Sequence, residues 1–234
     1  MHVLSNSMDG VDRAYDLRIV KGSTSVLYGP TASGKTYRVA NILREKDKII
    51  KEGSSIKNVV FCYSAWQPIY DQLKKERVVT RWINYMPSTA QFVELVQAYK
   101  DAGGSIVCID DFMTEISKDL VEIVCVKARH YNATVFMLFQ SLFPSNPLAR
   151  QISLNAKYLY IHKNPRENAQ ISYIARQISP ANYKWIVYAY YDATNMPYGY
   201  LLIDLTQETP EHLRFRSNIL PHEFPMVVYQ PPKI

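Results

Sequence analysis

The feature that most constrains this chain is a segment with the spacing G-x-x-x-x-G-K-[ST], namely Gly29-Pro30-Thr31-Ala32-Ser33-Gly34-Lys35-Thr36. Its two fixed glycines let the backbone turn so that successive N–H groups point inward, which suits an anionic ligand. An apolar run over 23–28 precedes the segment, and a helical pattern over 36–45 follows it. This strand–loop–helix context is the one in which such a loop binds nucleotide phosphates.

The last two residues of this segment have distinct predicted roles. The helix that begins near Lys35 adds the positive end of its dipole to the phosphate site. Lys35 is expected to contact the β- and γ-phosphates of ATP and to act in catalysis, and the Thr36 hydroxyl is expected to ligate Mg²⁺. All residues over 29–36 are therefore candidate ATP-binding residues.

A second motif is a pair of carboxylates, Asp110 and Asp111, after the apolar segment 105–109. Asp110 is expected to hold Mg²⁺, directly or through water, and Asp111 to orient or deprotonate an attacking water. Successive side chains of an extended chain point to different sides, so the two acids can take separate tasks. Glu115 is a second candidate for the base. An acidic pair after a strand can also serve only as a helix N-cap.

Gln140 is the first polar residue after the apolar residues 135–139. At the carboxyl end of a predicted strand, its amide can position the attacking water or sense the γ-phosphate. The alternative is that it only marks the end of the strand.

Apolar segments alternate with helical patterns, which predicts an α/β fold with a mostly parallel central sheet and helices on both faces. Strands are predicted over 23–28, 56–63, 78–83, 105–109, 134–139, 157–162 and 198–205. Helices are predicted over 36–45, 67–77, 89–99, 114–129, 169–177 and 182–188. In such sheets ligands bind at the carboxyl ends of the strands. We expect a P-loop ATPase domain over 1–215 and a Pro-rich, surface-laid tail over 216–234.

The composition excludes several classes of protein. Apolar residues make up 47% and charged residues 21%, so an intrinsically disordered chain is not expected. No apolar run approaches the roughly 18 residues that a membrane span needs. The three dispersed cysteines argue against a disulfide framework and favour a reducing, intracellular compartment.

The net charge is +6, and the basic excess is local. Between residues 123 and 177 there are seven basic residues and one acidic residue, Glu167. Such a tract indicates a polyanionic partner, either nucleotide phosphate or the nucleic acid backbone. A solvated basic face is the alternative.

Several motifs occur in one order along the chain: Gly29–Thr36, Val107–Asp111, Phe139–Phe143, Ile152–Ala156, Lys163–Arg166 and Ile174–Ile178. In this order the chain resembles the viral genome-packaging ATPases of the FtsK–HerA superfamily, in the poxvirus and polinton/maverick branch. The resemblance runs from about residue 20 to 205. Its first two motifs are general to NTPases, whereas the set from Gln140 to Gln177 is more specific.

The resemblance implies an ATP-hydrolysing translocase that packages double-stranded DNA into a preformed capsid, independently of DNA sequence. It implies a P-loop NTPase fold of the additional-strand (RecA-like) type, with the glutamine-bearing strand between the phosphate-loop strand and the acid-bearing strand. Members form rings of five or six subunits with ATP at the interfaces, where a neighbour's arginine completes the site. The candidates are Arg150, which we favour, and Arg166.

The resemblance also implies a capsid or portal protein as partner and a place in the host cell, in the nucleus or the cytoplasm, or with the virion. Candidate contacts to the DNA backbone are Lys127, Arg129, Lys157 and Lys163.

Two other hypotheses stay open. One is a P-loop kinase with a lid of Lys163, Arg166 and Arg176, although Asp111 and Gln140 suit water activation better. The other is a nucleotide-switched capsid assembly factor without turnover.

Overall fold

The centre of the fold is a sheet of nine strands within the residues that the computed structural model describes, which are 15–112, 116–142, 146–166, 168–223 and 225–231. The strands are β1 Thr24–Tyr28, β2 Asn58–Tyr63, β3 Arg81–Ile83, β4 Ser105–Asp110, β5 Ala133–Phe139, β6 Tyr158–His162, β7 Tyr200–Asp204, β8 Phe215–Ser217 and β9 Val227–Tyr229. Their order is β3-β2-β4-β5-β1-β6-β7-β8-β9. The first six are parallel, and the last three are joined antiparallel.

Six of the eight helices among the described residues overlap predicted ones, whereas the helices over 46–49 and 147–155 were not predicted. The eight are α1 Lys35–Arg44, α2 Lys46–Ile49, α3 Pro68–Lys75, α4 Thr89–Gln97, α5 Lys118–Glu122, α6 Pro147–Asn155, α7 Asn168–Ile178 and α8 Tyr183–Ala193. The start of α4 shows why sequence predicts such boundaries well. The Ser88 side chain accepts a hydrogen bond from the Gln91 N–H, and the Gln91 side chain accepts one from the Ser88 N–H. This reciprocal cap satisfies two otherwise unpaired donors.

Helices cover both faces of the sheet, which explains why its central strands are almost wholly apolar. Alternate residues of a strand point to opposite faces. Leu27 and Phe61 pack with α1 and α3 on one face, whereas Val26 and Val60 pack with residues of α4 to α8 on the other. The predicted α/β fold with helices on both faces is therefore confirmed.

The strand order brings the predicted motifs to one edge of the sheet. Strand β5 lies between β4 and β1, as the resemblance implies for the additional-strand type. Asp110 is in register with Leu138, and Tyr28 with Phe139. The carboxyl ends of these three strands are consequently side by side, at the edge where parallel sheets bind ligands.

The segment after residue 215 differs from the expected surface tail. Strand β8 crosses the predicted boundary and pairs with β7, and β9 pairs with β8. Arg216 is 1% exposed, and its guanidinium bonds Asp204 Oδ2 at 2.6 Å and the Leu17 carbonyl at 2.9 Å. Two prolines of this segment lie outside the strands: Pro221 is in a 3₁₀ turn after β8, and Pro225 precedes β9. Part of this Pro-rich segment is therefore paired with the sheet, whereas a surface-laid tail was expected.

The helix predicted over 114–129 also differs. Thr114 lies outside the described residues, and α5 is followed by a π-helical stretch, Ile123–Lys127, and a 3₁₀ turn, Ala128–Tyr131. The Val124 carbonyl accepts a hydrogen bond from Thr24 Oγ1 of β1 at 2.8 Å. This hydrogen bond links the π-helical stretch to a strand of the sheet. The periodicity of the sequence does not reveal such a contact.

Among the described residues, none of the helices combines the length and the hydropathy that crossing a bilayer requires.

The buried Arg216–Asp204 pair gives a test of the role of β8 in the fold. Arg216→Ala is expected to lower the free energy of unfolding by roughly 3–5 kcal/mol, because the Asp204 carboxylate then stays buried without its cation. Urea denaturation measures this loss. The control is Arg18→Ala, which removes a half-exposed ion pair with Asp16 and is expected to cost at most about 1 kcal/mol. Equal losses in the two variants would contradict the prediction.

Candidate nucleotide-binding and catalytic site

The phosphate loop connects β1 to α1 and is built around its glycines. At Gly29, a Cβ atom would lie 2.4 Å from Ser33 Oγ and 2.9 Å from His162 Cβ, so no other residue fits there without movement. Gly34 caps α1 with φ 97°, in the left-handed region that glycine adopts at little cost. His162 lies next to Gly29, and its Nδ1 atom is 3.1 Å from the Tyr28 carbonyl oxygen. Burial lowers the pKa of His162 to about 3, so the ring is neutral at physiological pH.

Lys35 is held inside this loop. Its ammonium donates to the Gly29 carbonyl at 2.6 Å and to the Pro30 carbonyl at 2.9 Å, and the residue is 8% exposed. Burial lowers the pKa of Lys35, whereas the carboxylates of Asp110 and Asp111 act in the opposite direction. The loop therefore holds the ammonium group near enough to the two acids for their charges to act on it.

Thr36 and Asp110 meet as the sequence predicts. Thr36 Oγ1 donates to Asp110 Oδ2 at 3.0 Å, and Asp110 is 5% exposed at the end of β4. The same carboxylate oxygen accepts from Tyr70 Oη at 2.7 Å and Gln67 Nε2 at 3.3 Å. Burial raises the pKa of Asp110, while the Tyr70 and Thr36 hydrogen bonds and the Lys35 charge lower it.

Gln67 and Tyr70 are site residues that the sequence reasoning missed. They lie at and just after the start of α3, which begins beyond the carboxyl end of β2, the strand beside β4. The rule that ligands bind at carboxyl ends applies to β2 as well, and it could have indicated this segment. The contact of Tyr70 with Asp110 itself depends on helix packing.

These residues fit ATP and Mg²⁺. The turn at Gly29 has room for a backbone without a side chain. The side-chain oxygens of Thr36 and Asp110 are ligands of the kind that Mg²⁺ prefers. A cavity of about 620 Å³ lies over the loop and the first turn of α1, within the range of small-molecule sites. Beyond the loop and α1, the cavity is lined by Gln67, Pro68, Ile69 and Tyr198.

Asp111 and Gln140 are also in contact. Gln140 Nε2 donates to Asp111 Oδ1 at 2.7 Å, and both side chains are exposed at the sheet edge. Each residue directly follows its strand, Asp111 after β4 and Gln140 after β5. Asp111 has φ 65°, a left-handed conformation that costs a non-glycine residue about 1–2 kcal/mol. The two acids thus have different surroundings: Asp110 is buried beside Thr36, and Asp111 is exposed beside Gln140.

The two candidate arginines lie outside this group. Arg150 is exposed on α6, and Arg166 is exposed in the loop after β6. Among the described residues, neither lines the cavity. Arg176, a lid residue in the kinase hypothesis, stacks over the Tyr183 ring at 4.4 Å instead. Glu115, the second candidate base, is outside the described residues.

The four candidate DNA contacts do not share one edge of the sheet. Arg129 precedes β5 and Lys157 precedes β6, whereas Lys163 follows β6 at the carboxyl edge. Lys127 pairs with Glu122 at 2.7 Å. Because β6 spans the sheet between Lys157 and Lys163, one flat DNA surface at the edge does not include both.

The strand order and the phosphate loop together define a P-loop NTPase fold. No protein-family model matches the sequence, and no curated protein matches it.

Solved structures do match. One is the genome packaging NTPase B204 from Sulfolobus turreted icosahedral virus 2 with ATP-gammaS, at 15% identity and TM-score 0.54, covering 90% of this chain and 98% of that one. The same protein with AMPPCP matches at 15% identity and TM-score 0.54, with 91% and 98% covered. B204, the DNA-packaging ATPase from Sulfolobus Turreted Icosahedral Virus, matches at 13% identity and TM-score 0.52, with 91% and 99% covered.

Proposed function

We propose that this chain binds and hydrolyses ATP and uses the energy to move double-stranded DNA during the packaging of a viral genome. The observation that carries the catalytic part is the contact between Gln140 and Asp111 beside the Thr36–Asp110 pair. This contact supports a role in which the Asp111 carboxylate and the Gln140 amide hold a water against a bound triphosphate. A kinase would need an acceptor pocket at that position.

Different residues bind the phosphates, hold the metal ion and activate the water. Backbone N–H groups of the loop and the Lys35 ammonium bind the phosphates. Thr36 and Asp110 would hold Mg²⁺, which would supply positive charge to the bound phosphates. Asp111 accepts a proton from the water whose oxygen attacks the γ-phosphorus, as the bond to the leaving ADP oxygen breaks. Gln140 orients Asp111 and the water.

Four observations support the DNA-packaging part. The motif order over residues 20–205 resembles packaging ATPases, and the fold is similar to that of B204, which is described as a DNA-packaging ATPase. Arg150 and Arg166 are exposed outside the cavity, which suits a role at the site of a neighbouring subunit in a ring. The net charge of +6 suits a polyanionic partner.

Duplex DNA is expected to stimulate ATP hydrolysis, independently of DNA sequence. The stimulation should fall steeply as salt rises, because contacts to backbone phosphates release counterions. The measurement is release of labelled phosphate with Mg²⁺ and two duplexes of unrelated sequence, at low and high salt, under conditions in which oligomers form. Hydrolysis no faster with DNA than without it would contradict the motor. Label transfer to an acceptor would indicate a kinase, and binding without turnover an assembly factor.

A further inference from the structure

The cavity over the phosphate loop extends past the residues that hold phosphates. Tyr198, in the loop between α8 and β7, also lines this cavity. Strand β7 is antiparallel to β6, with Tyr200 in register with His162, so this loop lies at the same edge of the sheet as the phosphate loop. The predicted motifs assign no task to it.

Tyr198 is held in a conformation that is unusual for an aromatic residue. Its φ of 62° is left-handed, and its side chain is nevertheless 64% exposed. Burial of the ring within the chain therefore does not offset the backbone strain. Strained residues of this kind cluster at ligand-binding sites.

The ring lies directly against the phosphate loop. A Cβ atom at Gly34 would be 3.1 Å from Tyr198 Cδ1 and 3.2 Å from Tyr198 Cβ. The ring thus lies close to the loop at the start of α1, and Tyr198 is still 64% exposed.

The backbone of Tyr198 is anchored from α1. Arg38 Nη2 donates to the Tyr198 carbonyl at 3.3 Å. The Arg38 guanidinium is itself fixed by an ion pair with Glu223 and by its position 3.9 Å over the Tyr200 ring. The helix that carries the phosphate loop therefore also positions Tyr198.

We infer that the Tyr198 ring is the platform on which the base of the bound nucleotide stacks. The inference rests on the proposed nucleotide site and adds the group that recognises the nucleoside. Phosphates bound at residues 32–36 leave the nucleoside in the rest of the cavity, of which the exposed Tyr198 ring is an apolar wall. Every base has a π-face, so stacking holds the nucleotide with little discrimination between bases.

The test compares ATP with inorganic tripolyphosphate, which has the phosphates and no base. Stacking contributes about 1–3 kcal/mol per base, so Tyr198→Ala is expected to weaken ATP binding about 5- to 150-fold. Tripolyphosphate binding should stay within about twofold. Tyr198→Phe should bind ATP as the unmodified chain does. Calorimetric titration with Mg²⁺ measures both ligands.

Two further variants make the outcome specific. Tyr198→Gly removes the ring and adopts the left-handed backbone without strain, so it should match Tyr198→Ala in ATP binding. Tyr188→Ala removes a ring of similar exposure, 67%, on α8 away from the cavity and should leave ATP binding unchanged.

Unchanged ATP binding in Tyr198→Ala and Tyr198→Gly would overturn the inference alone. So would equal weakening of ATP and tripolyphosphate, since the ring would then support the loop. If the unmodified chain bound neither ligand, the proposed function itself would fail.

Discussion

Lys35→Ala is expected to lower the rate of ATP hydrolysis by roughly 100-fold or more and to weaken ATP binding. The ammonium group is 8% exposed and bonded to the Gly29 and Pro30 carbonyls, so it is already positioned at the loop. Removing one positioned donor from a site where charge develops typically costs 10²–10³ in rate, and loss of a full charge costs at least as much. Alanine also leaves the two loop carbonyls without their donor.

Phosphate release under saturating Mg²⁺ and ATP measures this effect, and equilibrium titration with labelled ATP measures binding. Lys75→Ala is the control, because Lys75 is an exposed lysine near the end of α3. It should change neither quantity by more than about twofold. A Lys35→Ala protein that is folded and hydrolyses ATP at the unmodified rate would remove the basis for assigning residues 29–36 to triphosphate binding.

Asp111→Asn is expected to lower turnover by roughly 10²–10⁴-fold while leaving ATP binding nearly unchanged. Asparagine has the same shape as aspartate but cannot accept a proton from the attacking water. Asp111 is exposed and touches Gln140, whereas the buried Asp110 beside Thr36 is the proposed metal ligand. Substitution of Asp111 should therefore affect the activation of water without affecting the binding of Mg²⁺. Asp110→Asn, in contrast, should also raise the Mg²⁺ concentration needed for ATP binding.

Single-turnover hydrolysis separates these effects from binding. Asp101→Asn serves as the control, because Asp101 is an exposed acid in the turn before β4. Its turnover should equal that of the unmodified chain. If Asp111→Asn kept full turnover, another group would be the base, and Glu115 would be the next residue to replace.

The sequence predicts the central fold well because the physics there is local and repetitive. Apolar segments such as 134–139 can be buried only between two layers of helices, and the capping box at Ser88 marks the start of α4. The predictions are wrong where a contact between distant parts of the chain determines the local structure. The Thr24 hydroxyl holds the π-helical stretch at Val124, and the pairing of β8 with β7 buries Arg216 in a segment whose prolines suggested a tail.

The residues of the candidate site likewise divide into those that local motifs predict and those that only packing brings to the site. Thr36, Asp110, Asp111 and Gln140 are predicted from motifs, and the sheet brings Thr36 into contact with Asp110 and Gln140 into contact with Asp111. Tyr70, Gln67 and Tyr198 are not predicted, because each reaches the site through the packing of an element that carries no motif. The roles of Arg150 and Arg166 stay predictions, since a neighbouring subunit is needed to complete them.

The sequence by itself determined the chemistry that is local along the chain. The spacing of the glycines, the ammonium and the hydroxyl within residues 29–36 predicts a phosphate-binding turn, and the acids follow their strand directly. Only the tertiary structure decided which acid is buried and which is exposed, and which ring faces the cavity. Those properties depend on strands and helices that meet across many residues of chain, and burial and hydrogen-bond partners exist only once they have packed.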